Sequence, residues 1–390
     1  MKTLPARILD ALQAHYHDSE VRLHEPVFQG DEKQLVTACL DSSFVSTVGP
    51  FVSEFENKLK EVTGAQYVIA TSSGTTALHL ALLGIGVKKD MEVMMSPLTF
   101  VATANAVSYC NAVPHFIDVS PKTLGIDPEA LRRRLDEIGN ITSSGCINKT
   151  TGRQIKAVVP VHTYGNPCDL EEILQVCAEY SLEVIEDAAE SLGSYFLNRH
   201  TGTFGRCGII SFNGNKIVTT GSGGAILTDD PGIASKLRHL STTAKVAHRW
   251  RYYHDEIGYN YRMSNLSAAL GCAQLDQLSV FVEVKRRHTE RYLEIFREFE
   301  DLTMLEESKK SKSNYWLQTL VLGDDLDSCR DEVLGLTNAN GIMTRPSWEL
   351  LHQLPMYKDT PFGNLKVVES LGKRIINLPS GVSLKWKQLH

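Results

Sequence analysis

Short apolar runs alternate with helical patterns between residues 66 and 186, and this alternation constrains the fold more than any other feature. Runs typical of strands lie at 66–70, 92–95, 113–118, 155–162 and 182–186. Helical spacing of apolar residues occurs at 51–62, 77–83, 101–110, 127–138 and 169–180. Strands that alternate with helices of this length are joined by crossovers and lie parallel in one sheet. The sequence therefore predicts an α/β fold, with a mostly parallel sheet and helices on both of its faces.

The pattern changes after about residue 205. Apolar runs at 207–212 and 224–228 flank a polar, glycine-rich segment, which predicts a strand pair and not a crossover. The polar insertion 142–153 is typical of a surface loop.

The C-terminal third predicts a second, smaller unit. Leu266 and Ala273 belong to a long helical stretch that runs toward Phe296, and a mixed α/β tail follows it. We therefore expect a large domain over residues 1–265 and a smaller α/β domain over residues 266–390.

Composition excludes several classes of protein. The 390 residues include 40 Lys and Arg against 46 Asp and Glu, and no basic stripe suggests a nucleic-acid partner. No apolar run reaches the length of about 18 residues that a transmembrane helix needs, and residues 1–10 lack the apolar segment of a signal peptide. The eight dispersed cysteines form no C-x-x-C pair, which excludes the common zinc patterns. We expect a cytoplasmic protein with reduced thiols, no metal and no membrane partner.

Residues 72–76 (SSGTT) follow a predicted strand and open a predicted helix. Free amides and the dipole at a helix N-terminus attract phosphate, and small hydroxyl residues let it approach. The alternative is a plain Ser/Thr helix cap.

Residues 186–190 (EDAAE) place carboxylates at the carboxyl end of a predicted parallel strand, where ligands of open α/β sheets bind. A carboxylate such as that of Asp187 can pair there with a cationic ring nitrogen, a metal or a ribose hydroxyl. The alternative is an aspartate that caps the next helix.

Lys216 lies between the segment SFNGN and the glycine-rich turn TTGSGG. It can be a Schiff-base nucleophile, because burial lowers the pKa of a lysine and frees its amine. The alternative is a solvated loop lysine. No Gly-Lys-Ser/Thr follows the glycines and they do not open a helix, which argues against a Walker A loop or a dinucleotide fingerprint.

Arginines alternate with aromatic residues over 248–254 and 258–262. Guanidinium groups bind diphosphates in a bidentate manner, and the rings could stack on a base. A subunit interface favours the same residue types. Both interpretations hold if the site lies at an interface.

A phosphate site, an acid after a central strand and a lysine some thirty residues later are together the parts of a pyridoxal phosphate site. Asp187 would keep the pyridine nitrogen protonated, and Lys216 would hold the cofactor as an imine and move protons.

At these residues the chain resembles the DegT/DnrJ/StrS family of nucleotide-sugar aminotransferases, and within it the LegC type. The motifs are SSGTTAL at 72–78, PLTFVATANAV at 97–107, PVHTYG at 160–165, EDAAESLGS at 186–194, SFNGNKIVTTGSGG at 211–224 and GYNYRMSN at 258–265. The resemblance implies a fold-type I aminotransferase that forms a homodimer with a shared active site. It also implies glutamate as amino donor and a nucleotide-linked 4-keto-6-deoxy-N-acetylglucosamine as acceptor, on the way to surface-glycan sugars such as legionaminic acid or bacillosamine.

The resemblance also implies roles for single residues. Lys216 matches the Schiff-base lysine, Asp187 the partner of the pyridine nitrogen, and Phe100 the residue stacked on the cofactor ring. The expected cofactor and phosphate contacts are Gly74, Thr75, Thr76, Glu190 and Ser211, with Asn260 supplied by the neighbouring subunit. The expected substrate contacts are His162, Arg249, Arg251 and Arg262.

Two positions depart from the family pattern. Glu190 stands where many relatives have Gln or His beside the phenolic oxygen, so we expect its carboxyl to be protonated or turned away. Ser222 stands where many relatives have Glu. The retained Lys216, in place of the histidine of the family's sugar dehydratases, predicts transamination. The alternative is a non-catalytic relative that keeps the fold and binds a nucleotide sugar, and the retention of both Lys216 and Asp187 argues against it.

Overall fold

The computed structural model describes residues 2–387 and contains one large and two small sheets. The strands are β1 Tyr67–Thr71, β2 Glu92–Met95, β3 Val113–Phe116, β4 Gly139–Thr142, β5 Gly145–Asn148, β6 Gln154–Val159, β7 Glu183–Asp187, β8 Tyr195–Phe196, β9 Arg199–His200, β10 Cys207–Ser211, β11 Gly224–Thr228, β12 Leu302–Met304, β13 Ser311–Lys312, β14 Gln318–Leu322, β15 Arg345–Pro346 and β16 Ile375–Leu378. The α-helices are α1 Leu4–His15, α2 Glu32–Asp41, α3 Pro50–Thr63, α4 Gly74–Gly84, α5 Ala102–Tyr109, α6 Pro128–Ile138, α7 Leu170–Glu179, α8 Pro231–Ser241, α9 Asn265–Leu275, α10 Leu278–Phe296, α11 Arg330–Ala339 and α12 Lys366–Gly372.

The large sheet has the strand order β1-β11-β10-β7-β6-β2-β3, and β5 and β4 continue it from β6. Strands β10, β7, β6, β2 and β3 are parallel to their neighbours in that order. Strand β11 is antiparallel to both β1 and β10, so β1 points in the same direction as the parallel strands. The predicted strand pair and the mostly parallel α/β sheet are confirmed.

Helices cover both faces of this sheet because its strands bury both sets of side chains. In β1, Ile69 joins a core with α4, α5 and α8, whereas Val68 and Ala70 join a core with α3 and α9. Successive side chains of a strand point to opposite faces, so β1 supports two cores at once. Helices α6 and α7 close a third core over β6 and β7.

The four-stranded sheet has the order β12-β14-β16-β15, and its neighbouring strands are antiparallel to each other. Its core contains Ile8 and Leu12 of α1, Tyr292 of α10 and Val333 of α11. The N-terminal helix therefore packs with the C-terminal elements. The division into residues 1–265 and 266–390 stays a prediction.

Two sequence predictions are wrong in detail. The predicted long helix after Leu266 is two helices, α9 and α10, separated by a turn. At this turn the side-chain amides of Gln274 and Gln277 both donate to Glu32 at 2.6 Å. The polar insertion 142–153 is not a loop throughout, since much of it pairs as the β4–β5 hairpin, and β5 adds to β6.

The described part of the chain has no helix that combines the length and the apolar character needed to span a bilayer.

Candidate active site

A cavity of about 300 Å³ opens where β1, β7 and β10 end. It is lined by Ser73, Gly74, Thr75, Leu78, Thr99, Phe100, Ala102, Val161, Asp187, Ala189, Glu190, Ile209, Ser211, Asn213, Asn215, Lys216, Ser222, Gly223, Trp316 and Trp348. The carboxyl ends of parallel strands meet at one edge of a sheet, which is where open α/β sheets bind ligands. Six residues predicted from sequence to hold the cofactor or phosphate line this cavity together with Lys216, the predicted catalytic residue: Gly74, Thr75, Phe100, Asp187, Glu190 and Ser211.

The N-terminus of α4 forms one wall of the cavity. Ser73 and Thr76 form a capping box, in which each side-chain oxygen accepts the other residue's backbone amide at 3.1 Å. The cap leaves the first-turn amides of Gly74 and Thr75 available to an anion. A Cβ at position 74 would come within 2.9 Å of the Ser211 Cβ, so glycine is what lets the helix approach β10 this closely.

Asp187 ends β7 with a buried carboxylate. Thr103 Oγ1 donates to one oxygen at 2.8 Å, and the Ala189 amide donates to the other at 3.2 Å. Burial raises the pKa of Asp187, against the two hydrogen bonds and the charge of Lys216, which lower it. A buried carboxylate with this electrostatic cost is stabilised by a cation placed in the cavity beside it.

Lys216 lies in a turn in which its amide donates to the Asn213 carbonyl. Its Nζ is 3.3 Å from Glu190 Oε1, and the second Glu190 oxygen accepts the Tyr164 amide at 2.9 Å. Burial raises the pKa of Glu190, and the charge of Lys216 opposes this. Glu190 is thus not turned away from the cavity, and its protonation stays a prediction.

Two predicted substrate residues lie behind the cavity. His162 is buried, its Nε2 is 3.2 Å from Glu186 Oε2, and its Nδ1 accepts the Cys168 amide. The Arg262 guanidinium donates to Glu56 at 2.8 Å. Both side chains therefore already have hydrogen-bond partners within the protein, and neither lines the cavity.

Four other predicted residues contribute no surface to the cavity. The Thr76 hydroxyl is used by the helix cap, and Asn260 pairs with Thr242 as an isolated bridge. Arg249 and Arg251 are exposed on the segment 244–258. Among the described residues of this chain, no arginine lines the cavity.

The sequence predictions missed several residues that line the cavity or support it. Thr103 lies on α5 and binds Asp187, while Trp316 and Trp348 come from the C-terminal third of the chain. Trp348 stacks on Tyr164, with the ring centroids 4.9 Å apart. Thr103 is in the quoted motif PLTFVATANAV, but the tryptophans stand in segments where no motif marked them.

These residues fit pyridoxal phosphate. First-turn amides beside Ser211 suit its phosphate, the exposed ring of Phe100 offers a surface for stacking, and buried Asp187 suits a protonated ring nitrogen. Lys216 opens on the same space, so one molecule can reach all four groups.

Comparison with known proteins agrees with this chemistry. The chain matches the DegT/DnrJ/EryC1/StrS aminotransferase family over residues 26–390. It is 36% identical to the GDP-perosamine synthase of Caulobacter vibrioides, over 92% of each protein. It is 39% identical to the putative pyridoxal phosphate-dependent aminotransferase EpsN of Bacillus subtilis, over 94% of this chain and 92% of that protein.

Solved structures share the fold. The aminotransferase TlmJ from Streptoalloteichus hindustanus superposes with a TM-score of 0.85 at 26% identity, over 94% of this chain and 95% of that one. The family and the fold-type I prediction are confirmed, whereas the LegC type stays a prediction. The chain belongs to the DegT/DnrJ/EryC1/StrS aminotransferase family and is a pyridoxal phosphate-dependent nucleotide-sugar aminotransferase.

Proposed function

We propose that the enzyme moves an amino group from glutamate to the 4-keto carbon of a nucleotide-linked 4-keto-6-deoxy sugar. The observation that carries this proposal is the convergence of Lys216, buried Asp187 and the N-terminus of α4 on one cavity. Each feature has a structural explanation alone, but all three are needed to hold and use one cofactor.

Pyridoxal phosphate, when bound, supplies an electron-withdrawing ring and a carrier for the amino group. The amides of Gly74 and Thr75 and the Ser211 hydroxyl would hold its phosphate. Phe100 would pack against the ring, and Asp187 would pair with the ring nitrogen. Thr103 fixes the Asp187 carboxylate at 2.8 Å and so sets the direction of that pair.

Lys216 would anchor the cofactor and move the proton. Its Nζ takes the proton from the α-carbon of glutamate, and in the second half of the reaction it delivers a proton to C4 of the sugar. Glu190 holds Nζ at 3.3 Å, and the Tyr164 amide keeps Glu190 in place. With its pKa raised by burial, Glu190 can carry a proton and donate to the phenolic oxygen of the cofactor.

We further propose a homodimer in which the segment 244–258 reaches the neighbouring cavity. The side chains of Trp250, Tyr252 and Ile257 are 76%, 82% and 85% exposed. Large apolar side chains that are exposed together in one segment are typical of a protein–protein interface. A second copy that covers this segment and the adjoining Asn260 would bring Arg249, Arg251 and Asn260 of one chain toward the other chain's cofactor phosphate and sugar diphosphate. Sedimentation velocity tests this proposal, and a monomer at working concentration would refute it.

His162 and Arg262 are proposed to act from behind the cavity. His162 supports Glu186 next to Asp187, and Arg262 fixes the end of β1 through Glu56. In this proposal His162 and Arg262 shape the substrate site without contacting the substrate.

Two similarities bear on the identity of the acceptor sugar, and they favour different candidates. The LegC resemblance favours the N-acetylglucosamine-derived 4-keto sugar. The 36% identity to a protein named GDP-perosamine synthase favours a GDP-linked acceptor as the second candidate.

The test incubates the purified enzyme with glutamate and UDP- or GDP-linked 4-keto-6-deoxy sugars, with products identified by mass. We expect a mass change from keto to amino with one nucleotide series. No amino sugar from either series would refute the proposed substrate class. Lys216→Ala should lose the visible cofactor absorbance and turnover, while Lys89→Ala, at an exposed position outside the cavity and outside the segment 244–258, serves as control. Turnover of Lys216→Ala at the wild-type rate would refute the role of Lys216.

A further inference from the structure

Lys216 has a second close neighbour besides Glu190. Its Nζ is 3.8 Å from the ring centroid of Trp316, which is the arrangement of a cation–π pair. The indole is 3% exposed, and its Nε1 donates to the Asn215 carbonyl at 2.7 Å. The ring is therefore held by its edge, with a face toward the ammonium group.

A buried lysine holds the backbone of Trp316. Lys285 of α10 has an exposed fraction of 0%, and its Nζ donates to the Trp316 carbonyl at 3.0 Å. It also donates to the carbonyl and the hydroxyl of Ser380 at 2.6 and 3.0 Å. The Ser380 hydroxyl in turn donates to the Trp316 carbonyl at 2.7 Å.

Lys285 has only neutral acceptors, and burial lowers its pKa well below the usual value. The Lys285 side chain connects α10 to the segment that carries Trp316 and to Ser380, which follows β16. Movement of Trp316 would break the hydrogen bond between its carbonyl and this buried amine and leave buried polar groups unpaired, so Lys285 fixes the backbone of Trp316.

Three titratable groups face Lys216. Glu190 touches it, and Asp187 acts on it through charge. Burial, and then the charges of Lys285 and Lys216, lower the pKa of His24 well below its usual value. None of these groups is changed by a substitution at position 316.

We propose that the ring of Trp316 stabilises the protonated form of Lys216 and fixes its position, and that Lys285 fixes the ring. This inference rests on the proposed role of Lys216. A lysine that must deliver a proton to the substrate gains from a partner that favours the ammonium form without offering a base that would take the proton.

The test measures how fast apoenzyme captures pyridoxal phosphate. The free amine of Lys216 attacks the aldehyde carbon, a carbon–nitrogen double bond forms, and the aldehyde oxygen leaves as water with the two amine hydrogens. Only the unprotonated amine attacks, so a ring that stabilises the ammonium form slows this step. The rate is the first-order change in absorbance at pH 7 and saturating cofactor.

Trp316→Met removes the ring and keeps an apolar, space-filling side chain. We expect it to capture the aldehyde about 2- to 30-fold faster than wild type. Trp316→Phe keeps an aromatic face and should stay within about threefold of wild type. A ring that only supports the structure would leave the rate of Trp316→Met unchanged or slower, and either result overturns the proposal.

Lys285→Met tests the second part. We expect its rate to lie between those of wild type and Trp316→Met, and the double variant to match Trp316→Met because the two residues act in one chain. Arg287→Met removes an exposed cation from the same helix and should leave the rate unchanged. A double variant that differs from Trp316→Met, or a Lys285→Met at the wild-type rate, would overturn the role of Lys285.

Borohydride trapping followed by peptide mapping separates the two proposals. If the wild-type adduct is not on Lys216, the proposed function itself fails. If the adduct is on Lys216 and Trp316→Met shows no acceleration, only the present inference fails.

Discussion

The fully buried carboxylate of Glu186 supports the strand end that carries Asp187. The Phe204 and Gly205 amides donate to Oε1 at 2.6 and 2.7 Å, and the Gly202 amide donates to Oε2 at 2.7 Å. The fourth donor is His162, whose Nε2 carries the proton because its Nδ1 accepts a backbone amide.

Glu186→Gln should therefore destabilise the protein. A glutamine accepts hydrogen bonds at one end only, so two of the four donors lose their acceptor and face an amide instead. At about 1.5–3 kcal/mol for each hydrogen bond to a charged group, the variant loses about 3–6 kcal/mol. For 390 residues the entropy of unfolding converts this to a fall in Tm of about 4–7 °C.

Differential scanning calorimetry of the cofactor-saturated enzymes measures this change. The matched control is Glu183→Gln in the same strand, because Glu183 is partly exposed and its closest cations are 3.9 and 4.0 Å away. Such ion pairs contribute little, so the control should melt within about 1 °C of wild type. If Glu186→Gln also melted within about 1 °C of wild type, the hydrogen bonds from the segment 202–205 to Glu186 would not stabilise the fold as assigned.

Three further outcomes follow from the structure. Gly74→Ala would place a Cβ 2.9 Å from that of Ser211, so we expect the affinity of apoenzyme for pyridoxal phosphate to fall about tenfold or more in a fluorescence titration. Thr103→Val removes a hydrogen bond that lowers the pKa of Asp187. We expect kcat/KM to fall about 10- to 100-fold, and the loss of activity on acidification to begin at a higher pH, which a pH–rate profile would show. Burial lowers the pKa of His288 to about 4, so the folded state resists protonation and loses stability as the pH falls from 6.5 toward 4. His288→Gln should lose about 3 kcal/mol less than wild type over this range in urea unfolding, and equal losses would contradict the assigned burial effect.

The sequence alone determined the alternation of strands and helices along the chain, and it predicted the residues of the cofactor site. The strands 92–95 and 224–228 are observed with the predicted bounds, because both are buried along their whole length and a short, largely apolar run is typical of such a strand. Asp187 was predicted as a site residue because it follows a predicted strand, and Lys216 because it stands beside a glycine-rich turn between two predicted strands.

Only the tertiary structure decided which distant side chains meet. Trp316 lies against Lys216 because the chain returns to the cavity one hundred residues later, and no local pattern records that return. Arg262 pairs with Glu56 of α3, whose position depends on packing and not on the motif around the arginine. Periodicity reports whether a residue is buried. Which partner it is buried against depends on strand order and helix docking, and these are fixed only when the whole chain folds.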